Sequence, residues 1–309
     1  MTATPSPAGL GCVVNFYLGQ GSANHVRDIL VATTSLGIRF LTLSEAVDTV
    51  MVVDGSPEPC ASMREACATL GVRYHHDGRE LSYVEAYNIG VDLLPHAYIA
   101  LMANDILPND PAVLDRLFEW IQRPGIGCVF PYMATNRVEW DEVQRPSLIH
   151  RGVLTCEPAS MTLNLNLFKR SVLEEIGGLD ENYLFGYQEP ILLIKIRSLG
   201  YRAVMVGRTC VFHLDRLTKA LEASSLTRRH QEADARRWFE EYPHHASPRG
   251  IANIKLWSRP FATTWRSRIA WWLAYLVPFR WLRSRACEYV IWMEPVLCRY
   301  PARGHGRRL

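Results

Sequence analysis

Tyr-Ile-Ala-Leu-Met-Ala-Asn-Asp-Ile-Leu-Pro, residues 98 to 108, decides how the chain is read. Its first five residues are an apolar run of the length a buried strand takes, and the run stops at the polar pair Asn104-Asp105. A carboxylate therefore stands at the carboxyl end of a buried strand. In an open α/β sheet that end opens onto the crevice where ligands bind, so Asp105 is the first place to look for a metal or phosphate site. An aspartate in a turn is the plain alternative, and the neighbouring elements decide between the two.

Upstream, Gly11 to Tyr17 reads as a first strand, followed by a helical stretch near Ala23 to Thr34. Asp48 to Val53 is a second apolar strand that also ends in an acid, Asp54, followed by Gly55-Ser56-Pro57. A helix over 59–70 closed by Gly71, a short strand over 72–74 and a helix over 81–94 complete the run. Strands that alternate with helices in this way build a mostly parallel sheet covered on both faces.

Downstream, Asp110 is placed to cap a helix with Pro111 at its first position, which makes it structural although it lies close to Asp105. A strand follows at Gly127 to Pro131, and then a turn-rich stretch, 132 to 158, that holds Trp140, Asp141 and Glu142. A short helix over 171–176 ends at Gly177-Gly178, ahead of Asp180 and Glu181. Glu189 opens another helix, with Pro190 in its first turn and a stop at Gly200; an acid there also suits the helix dipole. Two strands, 203–206 and 210–212, come next, the second ending at His213.

The composition is that of a globular protein. The eight cysteines are scattered, with no close CxxC pair, which argues against a zinc site and for buried thiols in a reducing compartment. The first residues lack the basic start and apolar core of a signal peptide, so a cytoplasmic location is expected. The net charge of +3 conceals a split. Residues 246–309 hold twelve basic and two acidic residues, a net +10, against 22 basic and 29 acidic, a net −7, in residues 1–245. Six of the nine tryptophans lie in that tail, so two parts are expected: a domain over 1–245 and a basic, Trp-rich tail over 246–309.

Val52-Val53-Asp54-Gly55-Ser56, Ala86-Tyr87-Asn88-Ile89-Gly90, Asn104-Asp105, Gly177-Gly178-Leu179-Asp180-Glu181, Gln188-Glu189 and Val211-Phe212-His213 occur in an order and spacing that resembles the GT-A family 2 glycosyltransferases. The resemblance spans roughly residues 10 to 240. It implies an α/β, Rossmann-like GT-A fold and transfer of a sugar, mostly with inversion, from a nucleotide-diphosphate sugar to a glycan or lipid-linked acceptor. It further implies that Asp54 holds the nucleoside, that Asp105 binds Mg2+ or Mn2+ with help from His213, that Asp180 contacts the acceptor, and that Glu189 is the catalytic base. Two positions depart from the pattern: Ala103 stands where an acid is usual, and Gln188-Glu189 replaces Glu-Asp. A non-catalytic relative is one alternative on those grounds. A nucleotidyltransferase is the other, opposed by the lack of a Gly-rich basic loop near the first strand.

In the tail, Ile269, Trp272, Leu273, Leu276 and Val277 follow helical spacing, with Arg266, Arg268, Arg280, Arg283 and Arg285 around them. The apolar run from 269 to 279 is too short to span a bilayer, which takes about 20 residues. An amphipathic helix lying on an anionic membrane at the inner face fits it better, while a helix covering the core or binding nucleic acid fits less well. No nucleic-acid partner is expected.

Overall fold

The computed structural model describes residues 9–108, 110–134, 161–214 and 225–242, with isolated positions at 155, 157 and between 269 and 286. Strand β1 (Leu10–Phe16) leads to α1 (Asn24–Thr42), β2 (Val47–Asp54), α2 (Ala61–Leu70), β3 (Arg73–His76), α3 (Tyr83–Leu93) and β4 (Tyr98–Met102). Then come β5 (Ile106–Pro108), α4 (Ala112–Ile121), β6 (Ile126–Ala134), β7 (Leu165–Lys169), α5 (Arg170–Glu175), α6 (Gln188–Ser198), β8 (Arg202–His213) and α7 (Ser225–Glu241). The expected loop around Trp140, Asp141 and Glu142 lies outside the described residues, as does most of the tail.

The strands form one sheet in the order β3-β2-β1-β4-β7-β6-β8-β5. β1 pairs parallel with β2 and β4, β2 with β3, and β6 with β8, while β7 and β5 run antiparallel to their neighbours. Chain order reverses at β1, where connections leave to both sides, and this opens the crevice at the carboxyl ends of β1 and β4. Successive strand residues face opposite layers. Val13, Met51, Val53, Ile99 and Leu101 pack with α3, α5 and α6. Cys12, Val14, Val50, Val52, Ala100 and Met102 pack with α1, α2 and α4.

Local chemistry sets the helix ends. Gly71 closes α2 at φ 68°, and Asp110 Oδ1 accepts from Ala112 N at 2.9 Å, the structural part read for it in the sequence. Ser82 opens α3 with a reciprocal capping box to Glu85. Helix α1 runs eight residues past the expected end at Thr34. Gly37 does not stop it, because the helix needs a residue without Cβ where it crosses β5: a Cβ there would lie 2.9 Å from the carbonyl oxygen of Ile106. The two strands expected over 203–212 are one, β8, which irregularly paired β6 and Arg208 at φ 59° bend without breaking. β5, β7 and α7 were not expected from the sequence.

Cys12, Cys60, Cys67, Cys128 and Cys210 are buried. Among the described residues no helix is long and apolar enough to cross a membrane.

Candidate active site

The first expected pairing is present. β5 and β8 pair antiparallel with Ile106 opposite His213, and Leu214 N donates to the backbone oxygen of Asp105 at 3.0 Å. This ladder brings two residues 108 positions apart together, His213 Nε2 lying 3.2 Å from Asp105 Oδ2. Both side chains are mostly enclosed, with 15% and 12% of their surfaces open. His213 Nδ1 is buried and makes no hydrogen bond among the described residues. A carboxylate and an imidazole with an uncommitted nitrogen fit a divalent ion that takes the rest of its shell from phosphate oxygens and water. Among the described residues no cluster of three or more His, Cys, Asp or Glu forms a fuller metal site.

Tyr87 connects this pair to Glu189. Its hydroxyl donates to Asn15 Oδ1 on β1 at 3.2 Å. Burial pushes that hydroxyl well above its ordinary pKa, and the negative charges of Asp105 and Glu189 push it further the same way. The neighbouring Tyr83, edge-on to Tyr87 with ring centroids 6.1 Å apart, is raised by burial first and then by Glu189. Asp105 and Glu189, 84 positions apart in the sequence, thus act on one buried hydroxyl. Glu189 sits in the first turn of α6, where the helix dipole favours its ionised form.

Asp54 is placed differently from what the sequence suggested. Its carboxylate is fully buried. Oδ1 accepts from Ser56 N at 3.0 Å and from the Ser56 hydroxyl, and Oδ2 accepts from Cys60 N at 2.9 Å and Tyr74 Oη at 2.5 Å. Four donors fill the acceptor capacity of a carboxylate, so a base N–H or ribose hydroxyl would have to displace one of them. Asp54 instead shapes the 55–60 turn. Through Ser56 the turn accepts Leu18 N at 2.9 Å, and Ser56 O lies 2.9 Å from His76 Nε2. Gly78 N donates to His76 Nδ1, which makes Nε2 the protonated nitrogen.

Asp180 is also committed locally. It accepts from Asn182 N at 3.1 Å and Asn182 Nδ2 at 2.9 Å and lies 3.5 Å from Lys195 Nζ. Burial works to raise its pKa, but the Asn182 hydrogen bonds and the Lys195 charge outweigh it and hold the group below the usual carboxylate range. Asn88 ties the same loop to α3, accepting from Leu179 N at 2.9 Å and donating to Leu179 O at 3.0 Å.

Two members of this region, Asp234 and Trp238, were not read from the sequence, and a third, Gln188, was read only as a departure from the resembled pattern. Gln188, fully buried, donates to the carbonyls of Asp180 and Tyr183 at 2.6 and 2.8 Å and accepts from Asp180 N at 3.2 Å. Asp234 and Trp238 on α7 are also buried, packed against the 183–187 loop. Their i, i+4 spacing in an otherwise charged stretch was the only signal of a buried face.

No protein-family model matches the chain. It is 24% identical to the uncharacterized protein y4gI of Sinorhizobium fredii over 191 residues, covering 54% of this chain and 21% of that protein, so the chain spans about a fifth of the curated relative's length. Among solved structures, the mannosyltransferase PcManGT from Pyrobaculum calidifontis, in complex with GDP-Man and Mn2+, superposes with a TM-score of 0.51 at 15% identity, covering 98% of this chain and 89% of its own. GalNAc-T7 with UDP, GalNAc and Mn2+ gives 0.56 at 13% identity, covering 82% and 54%. Glucosyl-3-phosphoglycerate synthase from Mycobacterium tuberculosis, with Mn2+, UDP and phosphoglyceric acid, gives 0.50 at 15% identity, covering 73% and 77%. With its crevice at β1 and β4 and its mostly parallel sheet covered on both faces, this chain has the GT-A fold of the nucleotide-sugar glycosyltransferases.

Proposed function

We propose that the chain is a family 2 type glycosyltransferase that moves a sugar, with inversion, from a nucleotide-diphosphate donor to a saccharide or lipid-linked acceptor in polysaccharide synthesis. One observation carries the reading: where β4 ends, the β5–β8 ladder sets His213 Nε2 3.2 Å from Asp105 Oδ2 and leaves the buried His213 Nδ1 without a hydrogen bond among the described residues. The similar structures solved with Mn2+ and GDP-Man or UDP support it.

Glu189 takes the proton of the attacking acceptor hydroxyl. As that oxygen bonds to the anomeric carbon, the bond from that carbon to the donor phosphate oxygen breaks on the opposite face. The nucleoside diphosphate leaves with the electron pair. Asp105 and His213 are the residues that would hold Mg2+ or Mn2+, and the bound ion would offset negative charge on the departing diphosphate. Asp54 shapes the turn at the nucleoside end, and the 177–187 loop, with Asp180 at its centre, faces the acceptor. Ala103, in place of an acid, favours a second reading, a non-catalytic relative.

Diphosphate release is measured against a panel of nucleotide sugars that includes GDP-mannose and UDP-linked sugars, with Mn2+. A transferase releases nucleoside diphosphate, and Asp105→Ala and Glu189→Gln each lose at least about a hundredfold. Pyrophosphate release marks a nucleotidyltransferase, and no release from any donor marks the inert relative.

A further inference from the structure

We infer that Asp234, on α7, is a positioning residue for Glu189. The inference rests on the proposed transferase reading. Three successive backbone N–H groups, those of Leu184, Phe185 and Gly186, converge on the Asp234 carboxylate at 3.3, 2.7 and 2.9 Å. Consecutive N–H groups pointing one way make an anion-binding hollow, and here the anion is a side chain from a distant helix. Asp234 is only 3% exposed, so these bonds act with little competition from water.

The residue after that hollow is Tyr187, at φ 65° and ψ 0°, and it is the N-cap of α6. A left-handed conformation is unfavourable for a residue with a Cβ and persists only where the surroundings enforce it. α7 supplies those surroundings. Trp238 stacks on Tyr187 with centroids 5.3 Å apart and planes at 15°, and Tyr183 Oη donates to Glu241 Oε2 at 2.8 Å. Tyr183, Ile191 and Trp238 form a small core that joins α7 to the loop and to α6. Glu189 lies three residues beyond Gly186, at the start of the helix whose direction this constrained turn sets. Displacing a catalytic group by about 1 Å costs on the order of a hundredfold in rate, so a clamp at 184–187 fixes the base more tightly than α6 does alone.

The test is a double-mutant cycle on nucleoside diphosphate release from the best donor of the GDP-mannose and UDP-sugar panel with Mn2+. Asp234→Asn keeps shape and one acceptor oxygen but turns an amide N–H2 toward the hollow. It is expected to lower kcat by about 10- to 100-fold with donor KM within about twofold of the parent. Adding D234N to E189Q is expected to lower kcat by no more than about twofold beyond E189Q alone, because Asp234 acts through Glu189. Independent losses that multiply in the double variant, or a D234N loss confined to KM, overturn the inference while leaving the transferase reading intact. A parent chain that turns over no donor overturns both. If D234N does not fold, Asp234→Glu, which keeps the charge but moves it by one methylene, takes its place in the same cycle.

Discussion

Gln188 directly precedes the proposed base, at a position where the resembled family usually carries an acid. The structure explains the amide. Its nitrogen donates to two carbonyls, and its oxygen accepts one backbone N–H, so the side chain needs both kinds of atom. A carboxylate there would place two acceptors against the carbonyls of Asp180 and Tyr183. The helix dipole would favour the charge by about 0.3 to 1 kcal/mol, but leaving it buried against unpaired acceptors costs several times that. Gln188→Glu is therefore expected to destabilise the fold by about 2 to 4 kcal/mol, read as a fall in the urea midpoint. A midpoint equal to the parent's would show that the amide is not needed. At this scale the strand-end position singled out Asp105, while His213 and Glu189 were expected at the site only through the resemblance to the family 2 pattern. It did not disclose that the Asp54 carboxylate is saturated, since Tyr74 and the Cys60 amide reach it only in the folded chain.

Helix α1 shows what periodicity reads and what it misses. A glycine inside a helix normally costs about 1 kcal/mol relative to alanine, so replacing Gly37 looks favourable on propensity alone. The packing argues the reverse, because an added Cβ would come within 2.9 Å of the Ile106 carbonyl oxygen and 3.1 Å of Met102 Cε. Ile106 begins β5, the strand that pairs with β8 and sets Asp105 against His213. Backbone contact that close forces a shift, which typically costs about 1 to 3 kcal/mol and outweighs the propensity gain. Gly37→Ala is expected to lower thermal stability and to weaken Mn2+ binding in the presence of GDP or UDP by several-fold, measured by calorimetry. Retained stability with unchanged metal affinity would show that α1 does not brace the site. The alternating strands and their linking helices were legible because apolar spacing marks them. β5 and β7 were not, being short and dependent on partners far along the chain, and neither was α7, where Asp234 and Trp238 are buried amid a largely charged stretch.

At the scale of the whole chain, the charge asymmetry between residues 1–245 and 246–309 was the feature easiest to read. Among the described tail positions, Ile269, Trp272, Leu273, Leu276, Phe279 and Leu282 are exposed, and Trp272 is open to 63% of its surface. The spacing of Ile269, Trp272, Leu273 and Leu276 lays those four along one side of a helix that stops before Pro278, in a segment where residues 246–309 carry a net +10. We propose that this apolar face lies in the interface of an anionic membrane with the arginines toward the headgroups, which would hold the crevice near a lipid-linked acceptor. Each basic residue close to such a surface contributes about 1 kcal/mol, and salt screens that part but not the apolar burial. The full chain is therefore expected to float with vesicles containing phosphatidylglycerol and far less with phosphatidylcholine vesicles, and adding salt to about 0.5 M should lower recovery by about a few-fold without abolishing it. Removing residues 261–309 is expected to leave the protein at the bottom of the gradient in every condition. Equal flotation with and without that segment would place the membrane contact elsewhere or remove it, and the acceptor would then have to reach the crevice from solution.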